Sequence, residues 1–241
     1  MLATTEGIVL NQIKYGESSI IVNIYTREFG RQAFLMNAAR SKKSKNKAGS
    51  LQAMFLVDLV CYQKETREVQ RIKEIKNTPA YQNIPFDVTK STQAIFLAEI
   101  LLKSLREQES APQLFDFITN SLQYFDLIEG HAANFHLWFL FRLTEYLGFL
   151  PSTQITGFEG WFDMRKGAVV PFEPSHPFFI QKEATKFLCQ LSDLSISDLE
   201  YWKISRNMRG FLTNKLIDYY QLHFENMGEV KSLKVLQEIF E

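Results

Sequence analysis

The feature that most limits what this 241-residue chain can fold into is a change of hydrophobic period between residues 80 and 88. Before it, apolar residues alternate. In the segment 18–25, Ile20, Val22 and Ile24 share one face, while Ser19, Asn23 and Tyr25 fall largely on the other. Period two with β-branched residues marks a half-buried strand. Similar runs occupy 7–13, 31–37, 51–62 and 69–75. Between them, Tyr15-Gly16-Glu17-Ser18 and Arg27-Glu28-Phe29-Gly30 read as turns, and 64–67 reads as a polar hairpin tip. Five short strands in succession predict a small closed barrel, because closure leaves no strand edge exposed.

After the change the period is helical. Ala94, Ile95, Leu97, Ala98, Leu101, Leu102 and Leu105 line one helix, and Pro112 opens a second through Leu114, Ile118, Leu122 and Phe125. A third is expected over 132–147, stopped by Gly148 with Pro151 just beyond. The stretch 155–180 is less regular, and 160–164 and 168–172 flank Arg165-Lys166-Gly167 as a small hairpin. Helices resume near Gln181, Ser197 and Asn207, and a last one covers 232–240. The chain therefore reads as α+β and multidomain. A β-barrel spans 1–80 and a helical domain 81–241, with an irregular hairpin insertion at 152–177.

Hydrophobic residues at 46% and charged residues at 22% are ordinary for a globular chain and exclude disorder as the default. The densest apolar run, 137–141, stops at Arg142, far short of the ~18 residues of a membrane span. The first residues have no basic segment followed by an apolar one, so no secretory signal is expected and the cytoplasm is the expected compartment. Cys61 and Cys189 are expected to be free buried thiols.

The net charge of zero conceals an asymmetry. Residues 1–80 hold 13 Lys and Arg against 7 Asp and Glu, and the remainder holds 14 against 20. Such a split hints at nucleic-acid contact by the basic half. The basic residues concentrate in Arg40, Lys42, Lys43, Lys45 and Lys47, and no acid occurs between Glu28 and Asp58. A basic loop between two strands supplies phosphate contacts, which release condensed counterions and dominate sequence-independent affinity. Arg27, Arg31 and Arg71 extend the basic set, and Tyr15 and Tyr25 are candidate rings for base stacking. Phe34 is expected in the barrel core.

Enzyme motifs are absent. There is no phosphate loop of the G-x-x-x-x-G-K-[ST] type, no H-E-x-x-H and no G-x-S-x-G. His131, His136, His176 and His223 pair with no cysteine at zinc spacing and read as boundary or surface residues. Gly157-Phe158-Glu159-Gly160 matches a bare G-x-x-G, but Glu159 would repel the phosphates that such a loop clamps. The reading that follows is a non-enzymatic binding protein. An alternative of another class is a protein-interaction scaffold whose basic loop meets an acidic protein.

An ordered set of segments resembles the RecO family of bacterial recombination mediators. These are Glu6-Gly7-Ile8-Val9-Leu10, Tyr15-Gly16-Glu17-Ser18-Ser19, Thr26-Arg27-Glu28-Phe29-Gly30 and Asn37-Ala38-Ala39-Arg40-Ser41-Lys42. Further on come Phe139-Leu140-Phe141-Arg142-Leu143, Tyr146-Leu147-Gly148-Phe149-Leu150-Pro151, Arg206-Asn207-Met208-Arg209 and Lys231-Ser232-Leu233-Lys234-Val235-Leu236. The resemblance implies an N-terminal OB-fold and a helical C-terminal domain. It also implies annealing of complementary single strands and loading of the RecA recombinase onto DNA coated by single-strand-binding protein. Implied partners are single- and double-stranded DNA, RecR, the acidic tail of single-strand-binding protein, and RecF and RecA. For that tail the resemblance points to Arg142, with Arg209 and Lys231 as further candidates. Many family members carry a four-cysteine zinc site after the Gly-Phe-Leu-Pro-like segment. Residues 152–177 hold no cysteine here, so no metal or other cofactor is expected.

Overall fold

The computed structural model describes residues 1–37, 51–64, 66–78, 81–105, 109–128, 132–153 and 160–240. Five strands, β1 (Leu2–Tyr15), β2 (Ser19–Thr26), β3 (Gly30–Met36), β4 (Leu56–Tyr62) and β5 (Val69–Asn77), close into a barrel in the order β1-β2-β3-β5-β4. Closure rests on the length of β1. Its first half pairs with β4, from Leu2↔Tyr62 to Ile8↔Leu56, and its second half pairs with β2, from Gly7↔Thr26 to Tyr15↔Ser19. A register shift between Val9 and Asn11 bends the strand from one partner to the other. Gly7 sits where the two ladders overlap, and a Cβ there would lie 2.5 Å from the Ile24 side chain. The β3–β5 pair is parallel; all other pairs are antiparallel.

The inward row contains the alternating set read from sequence, Ile20, Val22 and Ile24, together with Phe34, and Val9, Met36, Val57, Leu59 and Cys61 are buried with them. The expected strand 51–62 pairs only from Leu56. Before it the chain turns inward: Leu51 and Met54 are buried, Met54 adopts φ +66°, and its N–H donates to the Val9 carbonyl. Leu51 joins the barrel core instead of extending its wall.

The chain divides into two compact units, Met1–Leu127 and Ile128–Glu241. The first therefore continues past the change of period and includes α1 (Val88–Ser104) and α2 (Pro112–Leu127). Asp87 caps α1 by accepting from the Lys90 N–H, and Pro112 opens α2, where its missing donor costs nothing. The buried Asp126 carboxylate accepts from the backbone N–H groups of Gln82, Asn83 and Ile84 at 2.7–2.8 Å, which ties α2 to the segment leaving the barrel.

The second unit is built on α3 (Phe135–Leu147), which is buried nearly all round: Phe135 to Phe141, Leu143 and Thr144 are inaccessible. Gly148 ends it at φ +85°, as the sequence predicts. Around it lie α4 (Lys182–Asp193), a short 3-10 turn Ile196–Glu200, α5 (Arg206–His223) and α6 (Ser232–Ile239). The expected hairpin forms from β6 (Trp161–Asp163) and β7 (Ala168–Val170), turning at Gly167 with φ +63°. A third strand, β8 (Phe179–Ile180), pairs with β6 on its other side. Among the described residues no helix is long and apolar enough to cross a membrane.

Candidate functional site

Three of the residues expected to touch DNA are taken up by the fold of the first unit. Arg27 donates to Glu6 at 2.7 Å and to Asp116 on α2 at 2.6 Å, and its guanidinium lies 4.7 Å above the Phe115 ring. Arg31 donates from Nε to the Leu105 carbonyl at the end of α1. Tyr25 is on the outer face of β2, as its parity requires, yet it is only 2% exposed because Phe115 and Ala111 cover it. Burial, assisted by Glu109, pushes its phenol up to about 12. Tyr25 has no open face to stack on a base, and the stacking role expected for it is withdrawn. Arg27 and Arg31 fasten helices to the barrel.

What remains open on the barrel is a row that the register defines. Ile13 pairs with Ile21, Ile21 with Leu35, Leu35 with Arg71, and Arg71 with Tyr62, so one side chain from each strand lies side by side on the outer surface. Ile13 is 54% exposed and Tyr62 47%, and Tyr15, two residues along β1 on the same face, is 56% exposed. Lys14, Arg71, Lys73 and Lys76 are exposed as well. The arrangement combines flat rings with cations that have long reach, the pairing that suits a single strand: bases stack and phosphates meet charge. Tyr62 and Ile13 are absent from the residues singled out by sequence. For Tyr62 the signal lay in parity, since it occupies an outward position in a strand whose inward positions, Val57, Leu59 and Cys61, are apolar.

The basic loop residues Arg40, Lys42, Lys43, Lys45 and Lys47 lie outside the described residues. Its root does not: Met36 pairs with Ile20, which also pairs with Lys14, so β3 ends at the same end of the barrel as the Lys14–Tyr15 turn. At the other end, a cavity of about 650 Å³ is bordered by Gln32, Gln63, Lys64 and Arg67. The buried Gln70 amide shapes this β4–β5 loop by bonding the Lys64 N–H and the Lys64 and Arg67 carbonyls.

In the second unit, Arg142 is engaged. One terminal nitrogen donates to the Ser192 and Leu194 carbonyls at 2.9 and 3.0 Å and satisfies the end of α4. Arg142, the residue expected to bind the peptide, thus also caps the end of α4. Arg209 is different. With Arg206, Phe211, Leu236, Phe240 and His136 it lines a cavity of about 540 Å³ between α3, α5 and α6. Its Nε donates to Asn134 at 2.8 Å, and its guanidinium lies 5.2 Å from the Phe240 ring. Burial and the neighbouring Arg206 charge both lower its pKa. No carboxylate forms an ion pair with either arginine among the described residues. His136, expected at a boundary, is fully buried beneath this cavity, 2.9 Å from the Thr213 hydroxyl. Burial first, and then Arg209, lower its pKa to about 3. Lys231 precedes α6 on the surface and is not part of the cavity wall.

No group of three or more His, Cys, Asp or Glu side chains converges among the described residues. In the hairpin region, Asp163 accepts from the Arg165 and Lys166 N–H groups and lies 3.3 Å from Nε2 of His176, whose Nδ1 is buried without a hydrogen bond. One carboxylate and one imidazole without thiolates do not fit the tetrahedral sulfur-rich set of a structural zinc.

Comparison with known proteins bears on both units. A family model for the N-terminal part of recombination protein O matches residues 1–81, and one for its C-terminal part matches 85–234. The DNA repair protein RecO of Phocaeicola vulgatus is 35% identical over 240 residues, and that of Bacteroides fragilis 34% over 242. The RecO of Christiangramia forsetii is 33% identical over 241 residues. Each alignment covers the whole of both chains.

Proposed function

The chain belongs to the RecO family of DNA repair proteins, and from that premise we propose that it anneals complementary single strands and, with RecR, helps RecA load onto DNA coated by single-strand-binding protein. It does this in the cytoplasm, without a cofactor and without bond-breaking chemistry of its own. The observation that carries the reading is the outer row of the barrel, where Tyr62 and Arg71 pair directly and Tyr15 lies on the same face. Rings and cations in register favour stacked bases over a rigid duplex, and that favours bringing two single strands together. Arg40, Lys42, Lys43, Lys45 and Lys47, which follow β3 in the sequence, add further positive charge.

Docking of the acidic, aromatic-ended tail of single-strand-binding protein is assigned to the Arg206–Arg209 cavity. Two guanidinium groups, with no carboxylate partner among the described residues, suit the acids, and the apolar Phe211, Leu236 and Phe240 suit the ring.

The test is annealing of complementary oligonucleotides, with and without saturating single-strand-binding protein, alongside binding at several salt concentrations. Changing Arg40, Lys42, Lys43, Lys45 and Lys47 together to Ala should slow annealing. It should also flatten the salt dependence of binding by up to roughly 0.7 per lost single-strand contact. A wild-type protein that binds acidic protein partners but no DNA at any salt would favour the scaffold reading.

A further inference from the structure

The cavity between α3, α5 and α6 is already partly filled by the protein itself. Phe240, just past α6, stacks on the His136 ring with centroids 5.7 Å apart and planes at 24°, and the Arg209 guanidinium approaches it to 5.2 Å. A ring plate and a cation are the two surfaces that an incoming aromatic side chain would use. The segment that carries Phe240 has the same chemistry as such a ligand: Glu238-Ile239-Phe240 joins an acid, an aliphatic residue and a ring.

The hold on this segment is thin. Within α6 only Ser232 and Leu236 are buried, while Val235 is 49% exposed and Ile239 41%. One side-chain link to α5, from Gln237 to Asn214, is a long 3.4 Å. Eight residues are too few to be helical by themselves in water, so α6 depends on that shallow seat. The chain before it is firmly anchored, since Met227 and Val230 are buried. A segment with few buried contacts beside a fixed anchor opens at low free energy without disturbing the rest of the unit.

We propose that α6 is a self-competing strap: Phe240 occupies the ring position of the acidic-peptide site and must leave it before a partner peptide can dock. The inference rests on the docking reading given above and adds regulation to it. If the strap is closed in about nine molecules of ten, the observed affinity for a peptide is about tenfold weaker than that of the open site. A partner presented in many copies on one DNA strand would then outcompete the strap where a single free tail does not.

The probe is a fluorescent synthetic peptide of sequence Asp-Asp-Glu-Leu-Phe with a free terminal carboxylate, titrated into the full chain. Phe240→Ala should bind it about tenfold more tightly than wild type. Arg209→Ala should abolish that binding in both backgrounds. Hydrogen exchange provides a measurement on the unaltered protein: saturating peptide should speed exchange of the amides at 232–240. An unchanged or weakened affinity in Phe240→Ala, or slower exchange at 232–240, would make α6 a wall of the site and overturn the strap while leaving the docking intact. Peptide binding by neither wild type nor Phe240→Ala would remove the docking reading, and the strap with it.

Discussion

At Arg27, two carboxylates and a ring compete successfully with any phosphate. Its side chain joins Glu6 on β1 to Asp116 on α2 while stacking on Phe115. Replacing it with Ala should lower the free energy of unfolding by about 1–2 kcal/mol, read from denaturant melts, because a networked ion pair and a cation–π contact are lost together. The salt dependence of DNA binding should stay as in wild type. Arg71→Ala is the converse, with unchanged melting and a weaker, flatter salt response. His136 makes a second prediction at this scale. The folded protein holds it neutral, with its pKa lowered to about 3, whereas the unfolded chain titrates it near 6.5. Between those values the unfolded state binds the extra proton, so this contribution to stability is complete above pH 6.5 and is lost as pH falls towards 3. Stability measured between pH 6.5 and 4.5 should fall less steeply in His136→Gln than in wild type; equal slopes would mean that the imidazole is protonated in the fold.

Between elements, the connections are made by buried polar side chains at a few points. Asp126 gathers three backbone N–H groups from 82–84, and the buried Lys90 on α1 donates to the Asp126 carbonyl. Asp126→Ala would strand those donors and should cost about 3 kcal/mol in a thermal or denaturant melt. A loss under 1 kcal/mol would show that water replaces the carboxylate. The hairpin of the second unit works in the same way. Asp163 holds the β6–β7 turn through two N–H groups and pairs with His176. Among the described residues, a carboxylate and packing hold this turn. A chelator should therefore leave the melting temperature unaltered and elemental analysis should find well under one zinc per chain, while Asp163→Ala should cost about 2 kcal/mol. Stoichiometric zinc would refute the metal-free hairpin.

For the molecule as a whole, the boundary between compact units follows packing and not the change of period. The barrel's outer face carries Tyr25, which Ala111 and Phe115 cover, and Gly30 approaches the segment after α1 so closely that a Cβ would lie 2.4 Å from the Glu109 carbonyl oxygen. Expressed alone, residues 1–127 should unfold cooperatively, whereas 1–80 should lack a sharp transition and expose the apolar surface left by α1 and α2. A cooperative 1–80 fragment would show the barrel to be self-sufficient. The family models change over at 81 and 85, inside the larger unit, so the sequence-level division and the packing unit describe different things.

The sequence by itself determined the strand and helix succession, the inward row Ile20, Val22 and Ile24, the stop at Gly148 and the hairpin around Gly167. Each of these is local: parity, period and a positive φ act within a few residues of chain. It also carried the family, because ordered short segments over the full length are a property of sequence alone. What an exposed-looking residue meets was decided by tertiary structure. Parity places Tyr25 and Tyr62 alike on the outside of the barrel, but α2 lands on one and leaves the other open. Arg142 and Arg209 look equivalent as cations on apolar helices, yet the end of α4 reaches the first and a cavity opens beside the second. Such outcomes depend on where distant segments come to rest, and pairings of that kind leave no periodic trace in the chain.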